Sequence, residues 1–447
     1  GKAQSGVPDE KVYVHFDGNC YFTGDTIWYA AYTVRADDNR PTDVSRILYV
    51  ELLNEQGYTV ERQQLVVDYD GRSHGQFALP DTLWAGYYEV RAYTKWMMNF
   101  RDKSGLPYMF SRVLPVYQRN DSTQNYKRKI MPRKITAGNY EITYPLPKFN
   151  IKFFPEGGHI VQGLETRVAF EISDEQTRRM DMAGLLLEDG EVIDTIRTSH
   201  NGRGTFTFRP MSGRTYKTCF TLDGEKHTDR IEGMESEGVA MKVTQSEDDV
   251  VVTLMQGGNL FAGAGLKMRV LCRGVEEVDT SLRITDGFAE LRLPKGDMRN
   301  GVNEVVLSDS LGNILASRMV FVKSRMPMAA EVRVSNLPGT ISPYERLSLQ
   351  LDLGRDLADA TFSLAVSDKG QRDQTYDASN IMTELLLQSD VRGYVENAAW
   401  YFESDDREHQ DALDLLMLVQ GWSRYDWGRD INPDNLKYRE EETTYIS

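Results

Sequence analysis

Apolar and polar residues alternate along most of this chain. Arg46-Ile-Leu-Tyr-Val-Glu-Leu-Leu53 is an apolar run bounded by turn residues, and Thr205-Phe-Thr-Phe208, Ala289-Glu-Leu-Arg-Leu293 and Arg346-Leu-Ser-Leu-Gln-Leu-Asp-Leu353 repeat with period two. Residues two apart on a strand share a face, so each run predicts a strand with one buried side. Gly, Asn, Asp and Pro clusters separate the runs, which favours sandwiches or barrels over a parallel sheet under crossover helices. Helical spacing comes late. Ser379-Asn-Ile-Met-Thr-Glu-Leu-Leu-Leu387 places a polar cap before an apolar run and predicts a short helix at about 380–388. Asp405 to Val419 predicts a longer one: Ala412, Leu415, Leu416 and Val419 recur at helical spacing, acids crowd the first turn, and Gly421 follows. With Leu413 and Leu418 added, the apolar stripe is too wide for one contact. This helix is expected to be buried on several sides, against Leu347–Leu353, Thr361–Val366 and the short helix.

Comparing the chain with itself reveals two repeated patterns. In the first, an apolar pair leads into a bend residue and then a strand: Tyr21-Phe-Thr-Gly24-Asp-Thr-Ile-Trp28, Ile160-Val-Gln-Gly163-Leu-Glu-Thr-Arg-Val168, Leu260-Phe-Ala-Gly263 running into Leu266-Lys-Met-Arg-Val270, and Ile341-Ser-Pro343-Tyr-Glu-Arg-Leu347. In the second, a Gly-led strand stops at Pro, and a Gly turn leads to another strand. It reads Gly75-Gln-Phe-Ala-Leu-Pro80 with Gly86-Tyr-Tyr-Glu-Val90, Gly204-Thr-Phe-Thr-Phe-Arg-Pro210 with Gly213 and Tyr216, and Gly287-Phe-Ala-Glu-Leu-Arg-Leu-Pro294 with Gly301-Val-Asn-Glu-Val305. Proline ends a strand because it has no N–H for the ladder. The repeat unit, roughly 80–110 residues, is the size of an immunoglobulin-like sandwich of about seven strands. The expected organisation is mainly β, with tandem sandwiches at 8–118, 148–231 and 238–325 and a basic linker at 119–147. A fourth sandwich-like unit at 326–447 carries the helices at about 380–388 and 405–419.

Composition narrows the function. The 447 residues carry 52 Lys and Arg against 67 Asp and Glu, a net charge of -15, which argues against a nucleic-acid partner. No run approaches the roughly 20 apolar residues of a membrane span. The chain lacks a Met start and a signal segment and stops at Thr444-Tyr-Ile-Ser447, so it is read as a fragment or processed form of something longer. Arg119 to Lys148 holds seven basic and two acidic residues, and Glu403 to the end holds twelve acidic and five basic. Solvation explains both runs; the functional alternative lays the basic linker on an acidic neighbouring domain or on anionic membrane glycolipid.

Chemistry-bearing motifs are missing where they would be expected. Cys20, Cys219 and Cys272 lie too far apart for a disulfide framework or zinc spacing. His15, His74, His159, His200, His227 and His409 never take the spacing that sets two imidazoles on one helical face. The glycine-rich Gly257–Gly265 stretch reads as a bend, and Asp368–Asp373 with Asp377 as a solvated turn without the ligand order of a calcium loop. Asp405-Asp406 fits a helix start. The expectation is no catalytic residue, no cofactor and no metal. Two aromatic stretches, Tyr87–Phe100 and Gly421–Trp427, admit core packing or a recognition surface. The candidate interaction surface is Trp96, Met97, Met98, Phe100, Trp422 and Trp427.

Lys11-Val-Tyr-Val-His-Phe-Asp17 followed by Tyr21-Phe-Thr-Gly24-Asp-Thr-Ile-Trp-Tyr29 resembles the opening of the macroglobulin-like domain of the alpha-2-macroglobulin superfamily, with Thr23 where that family usually has Pro. Leu48–Leu52, Leu79–Leu83, Arg91–Met97, Phe153-Phe-Pro-Glu-Gly-Gly158 and Leu413–Trp422 extend the resemblance to bacterial secreted or outer-membrane proteins with tandem macroglobulin-like domains. In that group such a block often precedes a carboxypeptidase-regulatory-like domain or the plug of a TonB-dependent receptor. The resemblance implies an extracytoplasmic, non-catalytic spacer and docking module, at the periplasm or outer-membrane surface. Its partner would be another envelope protein or a downstream domain of the same chain. None of the three cysteines sits in the Cys-Gly-Glu-Gln context of a thioester, so covalent protease trapping is not implied. A thioester-less protease-binding module and an accessory carbohydrate-binding or enzymatic subunit remain the alternatives.

Overall fold

The computed structural model describes residues 9–101, 105–118, 149–174, 178–323, 332–353, 360–367, 379–421 and 436–441. The expected linker at 119–147, the acidic turn at 368–377, and Trp422 and Trp427 lie outside the described residues.

The fold is mainly β. The first unit contains β1 (Glu10–Phe16), β2 (Tyr21–Phe22), β3 (Thr26–Arg35), β4 (Ile47–Leu53), β5 (Thr59–Val66), β6 (Arg72–Ala78), β7 (Gly86–Tyr93) and β8 (Phe110–Tyr117). They form two sheets, β1-β3-β6 and β2-β8-β7-β4-β5. Val12, Ile27 and Phe77 from one sheet share a fully buried core with Leu48, Val90 and Phe110 from the other. The pleat explains the selection: Tyr88, Val90 and Ala92 of β7 point inward, whereas Tyr87, Glu89 and Arg91 point outward.

The second unit comprises β9 (Phe149–Pro155), β10 (Ile160–Val161), β11 (Thr166–Asp174), β12 (Ala183–Glu188), β13 (Glu191–His200), β14 (Arg203–Phe208), β15 (Tyr216–Leu222), β16 (Glu225–Arg230) and β17 (Met234–Glu235). Strand β13 belongs to both layers. Its first part pairs with β12 and its last residues pair with β14, which links seven strands in the order β16-β15-β12-β13-β14-β11-β9. The third unit holds β18 (Gly238–Gln245), β19 (Asp249–Gly257), β20 (Leu266–Cys272), β21 (Val275–Leu282), β22 (Phe288–Pro294), β23 (Gly301–Ser308) and β24 (Ile314–Val322), arranged as β18-β19-β22 against β21-β20-β23-β24.

The two sequence patterns meet in space. Gly24 donates its N–H to the carbonyl of Leu79 at 3.0 Å, and Gly163 donates to that of Pro210 at 2.7 Å. Each bend is thus tied to the Pro-terminated end of the Gly-led strand. Both glycines have positive φ, 84° and 78°, which disfavours a side chain there. The apolar pair before each bend makes a short parallel ladder, β2 with β8 and β10 with β17. Strands β6, β14 and β22 are equivalent in all three units, each pairing with the strand that also pairs with the unit's first. The third bend is not equivalent. Gly263 precedes β20, a strand of the four-stranded sheet, and the β18–β19 connection is a tight turn at residues 246–248 instead.

The expected fourth unit at 326–447 lies only in part within the described residues, which there begin at 332. Its described residues up to 367 form a single two-stranded ladder, β25 (Arg333–Ser335) with β26 (Gln350–Asp352). Phe362, Leu364 and Val366 are exposed, and 361–366 is not a strand. Alternation marks which side chains share a face but does not supply a partner strand. Beyond it, Asn380 caps α1 (Ile381–Thr383) in a reciprocal capping box with Thr383, and the chain continues as a π-helix, Glu384–Gln388. Asp406 caps α2 (Arg407–Val419) by accepting the His409 N–H. The apolar stripe of α2 is buried from Ala412 to Val419, but not on a fourth sandwich. Leu413, Leu416 and Met417 pack with Val302, Met319 and Phe321 of the third unit, while Leu415, Leu418 and Val419 pack with Ala169 and Phe154 of the second.

Candidate docking sites between the units

The wedge formed by α2 surrounds a buried charge network. Glu156 follows β9 in the Pro-Glu-Gly-Gly turn, where Gly157 has φ +78° and an added Cβ would lie 3.0 Å from that of Met241. This close approach seats the Glu156 side chain, 1% exposed, between the second and third units. It accepts two hydrogen bonds from Arg167 of β11, both 2.8 Å, one from Arg318 Nε of β24 at 3.1 Å, and one from the Val243 N–H at 3.0 Å. Asp414 of α2 closes the network, 2.6 Å from Arg318 and 3.2 Å from Arg167. Two cations and two anions from four elements thus neutralise one another, the condition under which charges are tolerated inside a protein. A depression beside the network, lined by Glu165, Thr207 and Lys242 among others, holds about 10 Å³, no more than one water.

The first unit is tied in differently. Lys11, fully buried in β1, pairs with Asp390 and donates to the Leu385 carbonyl; Glu384 accepts from Tyr108, and Leu385 enters the first core. Burial raises the Glu384 carboxyl above its ordinary range. Arg273 and Arg299 of the third unit both reach the carbonyl of Asp37 in the first, at 3.3 and 2.7 Å.

An aromatic stack joins the second unit to the helical segment. The Asn201-Gly202 turn, with φ of 48° and 67° at its two residues, makes the hairpin between β13 and β14 and presents His200. His200 lies over one ring contact of Trp400 at 4.3 Å and 18°, and His409 stacks on the same indole at 4.1 Å and 21°. Burial, then the Arg203 cation, lowers the His200 pKa below its ordinary value, with Asp181, Glu408 and Glu396 opposing. A histidine depressed on folding binds its proton more readily when unfolded. The stability it contributes is therefore present above its unfolded pKa of about 6.5 and falls as pH drops below that. Acidification from pH 7.5 to 5.5 is expected to lower the protection factors at residues 400–402, after correction for the slower intrinsic exchange at low pH, and His200→Gln should flatten that dependence. An unchanged profile in His200→Gln would assign the pH effect to another group.

Of the expected interaction surface, Trp96 and Met97 are buried, and Met98 and Phe100 are half-buried. Met97 belongs to the first core, and Trp96 meets Phe100 at 6.0 Å. What the structure adds to this turn is the segment 436–441. Asn99 donates to the Tyr438 carbonyl at 2.8 Å and accepts the Tyr438 N–H at 2.9 Å. The Arg46 N–H donates to the Glu441 carbonyl at 2.8 Å. The Glu441 carboxylate takes Lys95 Nζ at 2.6 Å and the Tyr49 hydroxyl at 3.1 Å, and this contact raises the Lys95 pKa. Tyr49 itself is stacked on Tyr93 at 5.6 Å with Arg62 over its ring. Sequence reading missed this seam because Asn99 and Glu441 are ordinary surface residues until the chain returns on itself; the apolar run beside Asn99 was the available signal.

Cys272 is buried, and burial pushes its thiol up to about 12, a state that disfavours nucleophilic chemistry. No group of three or more potential metal ligands occurs among the described residues, and no described helix is long and apolar enough to cross a membrane.

No family model matches the sequence. No curated protein matches it either. Among solved structures, alpha-2-macroglobulin from Salmonella reacted with methylamine is 10% identical with a TM-score of 0.20, over 74% of this chain and 24% of that one. Escherichia coli alpha-2-macroglobulin activated by porcine elastase is 10% identical with a TM-score of 0.26, over 77% and 33%. Dimeric latent PorU from Porphyromonas gingivalis is 12% identical with a TM-score of 0.29, over 71% and 34%. The chain therefore spans about a quarter to a third of the length of these proteins, and likenesses this weak assign neither a family nor an activity.

Proposed function

We propose that this chain is a non-catalytic, extracytoplasmic spacer and protein-docking array of the bacterial envelope, and that it serves a TonB-dependent nutrient-uptake receptor. Its units are the sandwiches at 8–118, 148–231 and 238–325, with 326–447 as the element that ties them together. The supporting observation is the junction at Glu156, where the second unit, the third unit and α2 contribute to one buried network. A buried ion cluster fixes how the units meet, because sliding would separate desolvated charges from their partners. The macroglobulin-like resemblance of the opening motif supports the envelope assignment.

Rigidity is the first test. Spin labels at Tyr58→Cys, Val192→Cys and Leu311→Cys, all exposed positions on the three units, in a chain whose Cys20 and Cys219 are serine, should give narrow pairwise distance distributions. Broad distributions would overturn the spacer reading. Cross-linking in intact envelopes tests the association: recovery of an outer-membrane transporter supports it, and recovery of only soluble proteases would favour the protease-binding alternative.

A further inference from the structure

We infer that the groove between the outer face of β4 and the Trp96–Asn99 turn is a recognition site for a carboxylate-bearing peptide of a partner protein, and that residues 436–441 occupy it as a ligand in cis. The inference rests on the docking half of the function proposed above.

The contacts separate into two kinds. Asn99 engages both the N–H and the C=O of Tyr438, and the Arg46 N–H engages the C=O of Glu441. These hold the main chain of a segment that bends at Lys437 and Tyr438, whatever its side chains. Lys95 and Tyr49 then converge on one carboxylate three residues further on. Main-chain hydrogen bonds supply affinity and a side-chain subsite supplies specificity, the same division of roles as in peptide recognition by strand addition. Charge complementarity names the occupant: Lys95 and Arg62 both lie over the Tyr49 ring, at 5.1 and 5.0 Å, and because Arg62 is paired with Glu51 at 3.2 Å, Lys95 is the cation that takes the occupant's carboxylate. The cis ligand fits imperfectly. Glu441 Oε2 is buried with no hydrogen-bond partner among the described residues, which weakens the hold of the strap. A strap held by a few backbone bonds and one ion pair is one that a segment with a better-seated carboxylate displaces.

The test uses the full chain and the acetylated, amidated peptide Leu436-Lys-Tyr-Arg-Glu-Glu441, fluorescently labelled. Tyr438→Pro combined with Glu441→Ala removes the donor that Asn99 accepts and the carboxylate that Lys95 holds, which frees the groove. The peptide is expected to bind this freed chain at least tenfold more tightly than the unaltered chain, because the strap competes at an effective concentration of about millimolar. Adding Asn99→Ala or Lys95→Met to the freed chain should weaken binding about tenfold. Failure to bind the freed chain, or binding indifferent to Asn99 and Lys95, overturns the inference. Should the double substitution loosen the first unit, the unaltered chain serves: excess unlabelled peptide must speed hydrogen exchange at 436–441 and leave β4 and β7 protected, and unchanged exchange overturns the inference. Dimerisation of the unaltered chain that the same two strap substitutions abolish would give the groove to a second copy and overturn the foreign-partner reading. Spin-label distances between units report on the spacer reading independently of every one of these outcomes.

Discussion

Glu156→Ala is expected to cost about 3–5 kcal/mol, the range for breaking a buried ion pair by removing one partner. The side chain is 1% exposed and accepts four hydrogen bonds. Its loss leaves the Val243 N–H without its acceptor and leaves Arg318, 2% exposed, with Asp414 as its only remaining carboxylate in the network. Buried cations without compensation are what make such truncations severe, more than the lost attraction itself. A multi-unit chain need not unfold in one step, so the measurement is local. Hydrogen exchange should rise in β11, β18 and β24 and stay unchanged in β4 and β7. A double-mutant cycle with Asp414→Ala should show coupling, because both carboxylates contact Arg167 and Arg318. Additive effects would show that Asp414 is held by something other than this network.

Leu416→Ala is expected to cost about 2–5 kcal/mol, the range for a fully buried leucine whose cavity only partly collapses. Leu416 is 0% exposed and sits among Met319, Phe321 and Leu413. The walls of the cavity come from strands and a helix rather than from a mobile loop, which places the cost toward the upper end. Exchange should quicken in α2 and in β23 and β24 while residues of the first core keep their protection. An effect confined to β25 and β26 would mean that the helix packs on a fourth unit after all.

The sandwich architecture was legible because each strand carries its own instruction. A period of two in β7, β14 or β22 fixes an inner and an outer face, Gly204 and Gly287 lie at the starts of β14 and β22 while Gly75 falls inside β6, and Pro80, Pro210 and Pro294 mark where the three equivalent strands stop. The ends of α2 were legible for the same local reason, an acidic cap and a following glycine. The width of its apolar stripe correctly required burial on several sides. What that stripe meets was not legible: apolar surfaces bury against one another without directional preference, so the stripe suits the facing sides of the second and third units as well as the expected fourth. The third bend shows the limit of repeat matching, since Gly263 has the right neighbours in sequence but opens a strand of the other sheet. The candidate sites depended most on tertiary structure. Glu156, Arg167, Arg318 and Asp414 span 258 positions of the chain, and Asn99 meets Tyr438 across 339. A charged side chain in a sequence is by default solvated. Only the folded chain decides that these are buried and paired, because their desolvation cost is offset solely by partners brought in from distant elements.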